Sequence, residues 1–264
     1  MAEKRPVTLI TGASAGIGVA LARVFARNGH ELVLVARREQ RLLSLADELG
    51  RPGQSRPLVL PVDLMARDAV QQIESGMAAH GVEPDIVVNN AGFGLVGETA
   101  SLDRAEQLQM VDLNVRALTD LSLAWIGSLR RHRGGLLNVA SVAGFLPGPG
   151  SSVYYASKAY VISFSEALHT ELASHGVRVT VLCPGPVPSE FQARAGVTRE
   201  SYPPLITVSA EAVAEQGYRG LMQNRRVVVP GAANKAIVFL QRFVPRGYAA
   251  ELVGRRSRRR YQKP

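Results

Sequence analysis

The stretch that most constrains this chain is near its start. A short apolar run, Val7-Thr8-Leu9-Ile10-Thr11, ends in Gly12-Ala13-Ser14-Ala15-Gly16-Ile17-Gly18 and passes into a helical pattern. Ala20, Leu21, Val24 and Phe25 fall on one face of that helix, and Asn28-Gly29 ends it. Strand, glycine turn and helix in that order place a helix N-terminus directly after the turn. Glycines there permit a tight turn and close backbone approach, while free N–H groups and the helix dipole favour a bound phosphate. Many glycine loops are only turns, so position decides. This one is the first βα connection, with Thr11 and Ser14 adding hydroxyls, and nucleotide binding is the expectation.

The alternation continues along the chain. Further strands are read at about 31–36, 57–62, 85–89, 136–140, 177–182 and 226–229, and further helices at about 40–49, 67–80, 105–131, 154–175 and 210–223. Leu32-Val33-Leu34-Val35-Ala36 is apolar throughout, as suits a parallel strand covered on both faces. Regular βα units with short links predict a three-layer, doubly wound α/β fold of Rossmann type, with a seven-stranded, mostly parallel sheet. Residues 1–231 read as one nucleotide-binding and catalytic domain with a lid at about 186–207. Residues 232–264 read as a C-terminal extension with a basic tail.

A second feature is Tyr154-Tyr155-Ala156-Ser157-Lys158. On a helix Tyr154 and Lys158 lie one turn apart on the same face. A phenol titrates near ~10 and is a poor base at neutral pH. A unit charge at ~4 Å is worth about 4 kcal/mol at an effective dielectric of 20. That lowers the phenol by as much as roughly 3 pKa units and makes proton exchange with an alcohol or carbonyl oxygen feasible. The same spacing is common on exposed helix faces. Tyr155 has no lysine four residues on, because position 159 is Ala159.

Cofactor choice is argued from the end of the second strand. An acid there would accept the ribose hydroxyls of NAD and repel a 2′-phosphate. The chain instead reads Ala36-Arg37-Arg38, with no acid before Glu39. Guanidinium groups bind phosphate through paired hydrogen bonds, so NADP(H) is the expected cofactor.

Three residues rather than one separate the first two glycines of the turn, and Thr11 to Gly18 resembles the TGxxxGxG mark of the short-chain dehydrogenase/reductase family. The resemblance recurs in order along roughly residues 7–231 and is weakest after 190. Asp63 in Val62-Asp63-Leu64 matches the family's adenine-contacting aspartate. Asn89-Asn90-Ala91-Gly92 matches the NNAG motif, which steadies the sheet and lines the cofactor site. Asn114 matches the catalytic asparagine, and Ser141 stands the usual thirteen residues before Tyr154. Pro184-Gly185-Pro186-Val187 matches the PG motif that bounds the nicotinamide. Ser189 stands where many members carry Thr, keeping the hydroxyl without the methyl.

The resemblance implies an oxidoreductase that interconverts a ketone or aldehyde and an alcohol. Tyr154 would give or take the proton, and Lys158 would lower its pKa and hold the nicotinamide ribose. Ser141 would hydrogen-bond the substrate oxygen, and Asn114 would anchor a water linking Lys158 to solvent. The implied cofactor set is Gly12, Ser14, Ala15, Gly16, Ile17, Gly18, Arg37, Arg38, Asp63, Leu64, Asn90, Ala91, Gly92, Tyr154, Lys158, Pro184, Gly185, Val187 and Ser189. Phe145 to Gly150 would form one wall of the substrate end and Phe191 to Leu205 a lid. Phe93, Phe145, Leu146 and Phe191 point to an apolar carbonyl compound. A silent NADP-binding regulator or scaffold would be marked by loss of Tyr, Lys or Ser from the set, and all are present.

Composition bounds the rest. The only cysteine, Cys183, leaves no intrachain disulfide and too few thiols for a cysteine-based metal site, so no metal is expected. No apolar run approaches a membrane span, no signal peptide is read, and a cytoplasmic protein is expected. Of the net charge of +9, Arg255, Arg256, Arg258, Arg259, Arg260 and Lys263 supply six, leaving +3 for the rest. The tail lacks interleaved aromatic platforms, so nucleic acid is not the expected partner. Peripheral contact with an anionic membrane through the tail is the alternative to a solvated one. The family resemblance implies a homodimer or homotetramer built on the helices around 105–131 and 154–175.

Overall fold

The computed structural model describes residues 4–50, 55–191, 195 and 203–261, without the side chains of 256 and 258–261. Its strands are β1 (Arg5–Thr11), β2 (Leu32–Ala36), β3 (Leu58–Pro61), β4 (Val82–Asn89), β5 (Gly135–Val139), β6 (Arg178–Leu182) and β7 (Val227–Val228). They form one seven-stranded sheet in the order β3-β2-β1-β4-β5-β6-β7, and every pairing is parallel. The helices are α1 (Gly16–Arg27), α2 (Glu39–Leu49), α3 (Ala69–Ala78), α4 (Arg104–Val111), α5 (Leu118–Ala124), α6 (Ile126–His132) and α7 (Ser152–Ala173). After β6 come α8 (Ala210–Met222), α9 (Ala232–Leu240) and α10 (Arg246–Tyr261).

Strand β2 shows why the layers form. All five of its residues are buried. Successive side chains leave a strand on opposite faces. Leu32 and Leu34 enter a cluster with Leu21, Phe25, Leu42 and Val213, from α1, α2 and α8. Val33 and Val35 enter another with Ile73, Leu121, Leu129 and Leu168, from α3, α5, α6 and α7. Both faces therefore need apolar side chains and a helical cover, as the unbroken apolar run predicts. The strand order reverses at β1, which has β2 on one side and β4 on the other. In open parallel sheets that reversal opens a crevice outside the carboxyl ends of the strands.

One helix departs from the sequence reading. The pattern over 105–131 predicts a continuous helix, and the structure divides it into α4, a π-helical turn (Asp112–Ala117), α5 and α6. The π turn carries Asn114 into full burial, where its carboxamide binds the Phe93 backbone. A π turn changes the helical period for only a few residues, so apolar periodicity does not register it.

The C-terminal extension is packed onto the body. Val238 of α9 joins a cluster with Val161 and Ile162 of α7. Asn234, also buried, donates to Pro230 O at 2.9 Å and Ile206 O at 3.0 Å. A Cβ at Gly254 of α10 would lie 3.4 Å from Pro149. Residues 192–194 and 196–202 of the expected lid at 186–207 lie outside the described residues, as do the side chains of most of the basic tail.

Leu34 is wholly buried. Its replacement by Ala is expected to lower stability by about 2–5 kcal/mol through lost burial and a residual cavity. Chemical denaturation followed by circular dichroism checks this.

Candidate active site

The cleft at the carboxyl ends of the strands encloses about 510 Å³ and is lined from Gly12 at one end to Phe191 at the other. At the first end the turn from β1 to α1 uses Gly12 and Gly16 at φ +66° and +53°. Gly18 is fixed by space instead: a Cβ there would stand 2.1 Å from Gly12 O and 2.6 Å from Asn90 Nδ2. Asn90 ties the turn down, donating from Nδ2 to Thr11 O at 3.0 Å and to Gly12 O at 3.3 Å. Thr11 Oγ1 accepts from the N–H groups of Asn90 and Ala91 and donates to Val88 O, so this hydroxyl braces the sheet rather than facing a ligand. Asn89 turns the other way. It donates to Ser122 Oγ at 2.9 Å and Asn138 Oδ1 at 3.0 Å within the core.

Helix α1 begins with no side-chain cap, and its first residues, Gly16 and Ile17, line the cleft. The first N–H groups of a helix have no partners within it. An uncapped start facing a cleft, with no room for side chains at Gly12 and Gly18, fits the pyrophosphate of a dinucleotide. Beside it Arg38 donates to Ser14 Oγ from Nε and Nη2, at 3.1 and 3.0 Å. Arg37 lines the cleft and forms no hydrogen bond or ion pair among the described residues. Asp63 is exposed at the rim, where its Oδ1 accepts from Met65 N at 3.1 Å. Arg116, on the π turn, donates to Met65 O at 2.9 Å and steadies that loop. Leu64, Ala91, Gly92, Pro184, Gly185, Val187 and Ser189 also line the cleft.

At the other end Tyr154 and Lys158 lie on one face of α7, with Nζ 5.9 Å from the ring centroid. Lys158 is buried, and its ammonium donates to Val139 O at 2.9 Å. Burial pushes its pKa down to about 8, against a small opposing effect from the Cys183 thiol. The lysine therefore still carries its charge at neutral pH. A Cβ at Gly92 would come 2.9 Å from Asn114 Oδ1 and 3.4 Å from Lys158 Nζ, so this glycine lets the two approach. Asn114 Nδ2 donates to Phe93 O at 2.9 Å and to Ser157 Oγ at 3.1 Å.

Ser141 caps the 3₁₀ turn Val142–Phe145 by accepting from Ala143 N, and donates to Pro184 O over 3.4 Å. The hydroxyl both lines the cleft and forms a helix cap. A Cβ on Gly144 would lie 2.6 Å from Lys158 O, so a bare glycine lets this turn rest on α7 and fixes Ser141 relative to Tyr154.

The substrate end departs from expectation in two places. Phe145 packs against the cluster of Val161 and Ile162 and does not line the cleft; of the expected 145–150 wall, Leu146 and Gly150 do. Ser257 of α10 reaches the cleft, which no motif in the sequence marked. Phe191 lies 5.6 Å from the Tyr154 ring and against Gly94. Tyr155 instead covers Gly148, where a Cβ would meet its ring at 2.1 Å. Met65, Gly94 and Leu95 also line the cleft and were likewise unmarked by sequence.

A doubly wound sheet with an uncapped glycine turn at one end of the cleft and a Tyr–Lys pair at the other defines a nucleotide-dependent α/β enzyme. Residues 6–200 match the model of the short chain dehydrogenase family, and the chain belongs to that family. It is 38% identical to the NADP-dependent 3-hydroxy acid dehydrogenase YdfG of Salmonella typhi over 68% of this chain and 71% of the relative. It is likewise 38% identical to sulfoacetaldehyde reductase 2 of Chromohalobacter salexigens, over 79% and 85% of the two chains. A short-chain dehydrogenase from Sphingobium yanoikuyae, solved with NADPH, superposes with a TM-score of 0.79 at 32% identity, covering 90% of this chain and 93% of that one.

The buried lysine has a consequence for stability. Its pKa of about 8 in the folded chain lies below the ordinary 10.5. The folded state is therefore penalised for the charge below about pH 8, and stability rises between about pH 8 and 10.5 as the folded chain sheds a proton that the unfolded chain keeps. Lys158→Met is expected to raise stability at pH 7 by about 1–3 kcal/mol and to flatten this rise. Denaturant titrations at pH 7 and 10 check both.

Proposed function

We propose that the protein is an NADP(H)-dependent oxidoreductase that interconverts an apolar ketone or aldehyde and the corresponding alcohol, with Tyr154 as proton donor and acceptor. The observation that carries this reading is the convergence of Tyr154, Lys158 and Ser141 on one cleft, with Asn114 held directly behind it, whose far end is an uncapped helix start beside Arg37 and Arg38. When bound, the nicotinamide supplies the hydride chemistry. The chain's own residues supply position and the proton.

Ser141 is held to Pro184 O by a long bond of 3.4 Å, which it exchanges for the substrate oxygen. Tyr154 transfers a proton at that oxygen. Lys158 favours the phenolate by its charge and, with a pKa of about 8, retains that charge at neutral pH. Asn114 fixes the Phe93 backbone in the loop after β4 and Ser157, and so the floor beneath both groups. Residues lining the cofactor half are the glycine turn, Arg37, Arg38, the Asp63-Leu64 rim, Asn90 to Gly92 and Pro184 to Ser189. NADP(H) is the cofactor, supported by the arginine pair and by the NADP named for the relatives.

The apolar substrate rests on lining residues. The substrate end presents Phe93, Leu95, Leu146, Tyr155 and Phe191, and among the described lining residues its only cation is Lys158. The relatives named for acidic substrates therefore share the chemistry rather than the substrate. In a panel of carbonyl compounds with NADPH and NADH, turnover is expected with uncharged ketones or aldehydes and NADPH. Tyr154→Phe is expected to lower kcat/KM by roughly 10²–10⁴-fold. Turnover confined to carboxylate- or sulfonate-bearing substrates would reverse the substrate reading, and full activity of Tyr154→Phe would remove the mechanism.

We further propose a cytoplasmic protein that makes two contacts. Leu108, Val111, Leu123 and Tyr160 are exposed on α4, α5 and α7, and the first contact is a second copy that covers them. Phe239, Leu240, Phe243, Tyr248 and Leu252 are exposed on the extension. Residues 232–250 contain Lys235, Arg242 and Arg246 and no acid, which suits the surface of an anionic membrane. Full-length protein is expected to scatter light as a dimer or tetramer and to co-sediment with phosphatidylserine vesicles. Phe243→Asp should abolish the second behaviour alone, and absence of co-sedimentation removes the membrane contact.

A further inference from the structure

Arg38, at the nucleotide end, is already occupied, and so is Arg41 of α2 beside it. Glu190 Oε2 accepts from Arg38 Nη1 at 2.7 Å, and Glu190 Oε1 accepts from Arg41 Nη1. The hydrogen bonds from Arg41 and Arg38 hold the Glu190 carboxyl below the usual carboxylate range. Arg38 is not free to turn away, because Nε and Nη2 are fixed on Ser14 across the glycine turn. Its remaining fork edge faces Glu190. Arg41 stands three residues on, in the first turn of α2, and completes a two-guanidinium seat for one anion. Glu39, the acid adjacent to Arg38, takes part in no ion pair among the described residues. Arg38 and Glu190 both line the cleft, and they lie 152 residues apart in the chain.

A carboxylate and a phosphate ask the same thing of an arginine pair: anionic oxygens that accept forked N–H bonds. Two anions on one pair of guanidiniums repel. Resting on the reading of NADP as cofactor, we propose that Glu190 is a built-in counter-ion that occupies the 2′-phosphate seat formed by Arg38 and Arg41, and so sets the discrimination between NADP and NAD. The 2′-phosphate must displace it. A 2′-hydroxyl has no charge with which to do so and leaves it in place. Arg41 thereby becomes a second phosphate-binding residue, one that the sequence reading did not single out. The contact also holds the residue next to Phe191, whose ring lies 5.6 Å from that of Tyr154. An anion that weakens cofactor binding therefore also positions a wall of the substrate end in the free protein.

The test uses calorimetric titration of the full-length protein with adenosine 2′,5′-bisphosphate and with ADP at low salt, so that no turnover is needed. Glu190→Gln is expected to tighten the 2′-phosphorylated nucleotide by roughly two- to fivefold, the strength of an exposed ion pair, and to leave ADP unchanged. Added salt should shrink the gain. In an Arg41→Gln background the same change should give a smaller gain, since Glu190 then blocks Arg38 alone. NADPH and NADH should divide in the same way. Equal effects on both nucleotides, or none on the 2′-phosphorylated one, overturn the proposal while leaving the cofactor reading intact. Should the unmodified protein fail to prefer the 2′-phosphate, with Arg38→Gln changing neither affinity, the cofactor reading falls and this inference falls with it.

Discussion

All seven strands run the same way, and that single constraint organises the molecule. A parallel pair cannot be closed by a hairpin, so each strand is followed by a crossover that lays a helix on one face or the other. Every strand must then be apolar on both sides, and every carboxyl end opens on the same edge of the sheet. The glycine turn after β1, the Asn90–Gly92 segment after β4, Ser141 after β5 and the Pro184–Val187 segment after β6 reach one cleft for this reason. Their distances in sequence are irrelevant to their meeting.

Within that cleft, close backbone approach is the second theme. Gly18 lies under the Gly12 carbonyl, Gly92 beneath Asn114 and Lys158, and Gly144 against the backbone of α7. Each lacks a side chain at a point where two chain segments touch. Lys158 illustrates the opposite demand. Its ammonium is buried with, among the described residues, one hydrogen bond, to Val139 O, an arrangement unfavourable to folding. In the proposed mechanism that charge, kept beside Tyr154, is retained against stability.

The extension after β7 belongs to the same body. Its helices close on α7 and on the Pro149 loop, and Ser257 reaches the cleft. The wall that the sequence assigned to Phe145 is thus built in part from the other end of the chain, while Phe145 itself serves the core.

The sequence by itself determined the fold class, the family and the location of the glycine turn, the Tyr154–Lys158 pair and the arginine pair. It did so because strand and helix periods, glycine spacing and i,i+4 neighbours are local, and local patterns survive in a linear string. The break at Asn114 was not legible, since a π turn alters only one short stretch of a long apolar pattern. Nor were the inward turn of Phe145, the reach of Ser257 or the seat of Glu190 between Arg38 and Arg41. These depend on segments up to 152 residues apart that become neighbours only when the sheet is assembled, and only the tertiary structure decides such pairings.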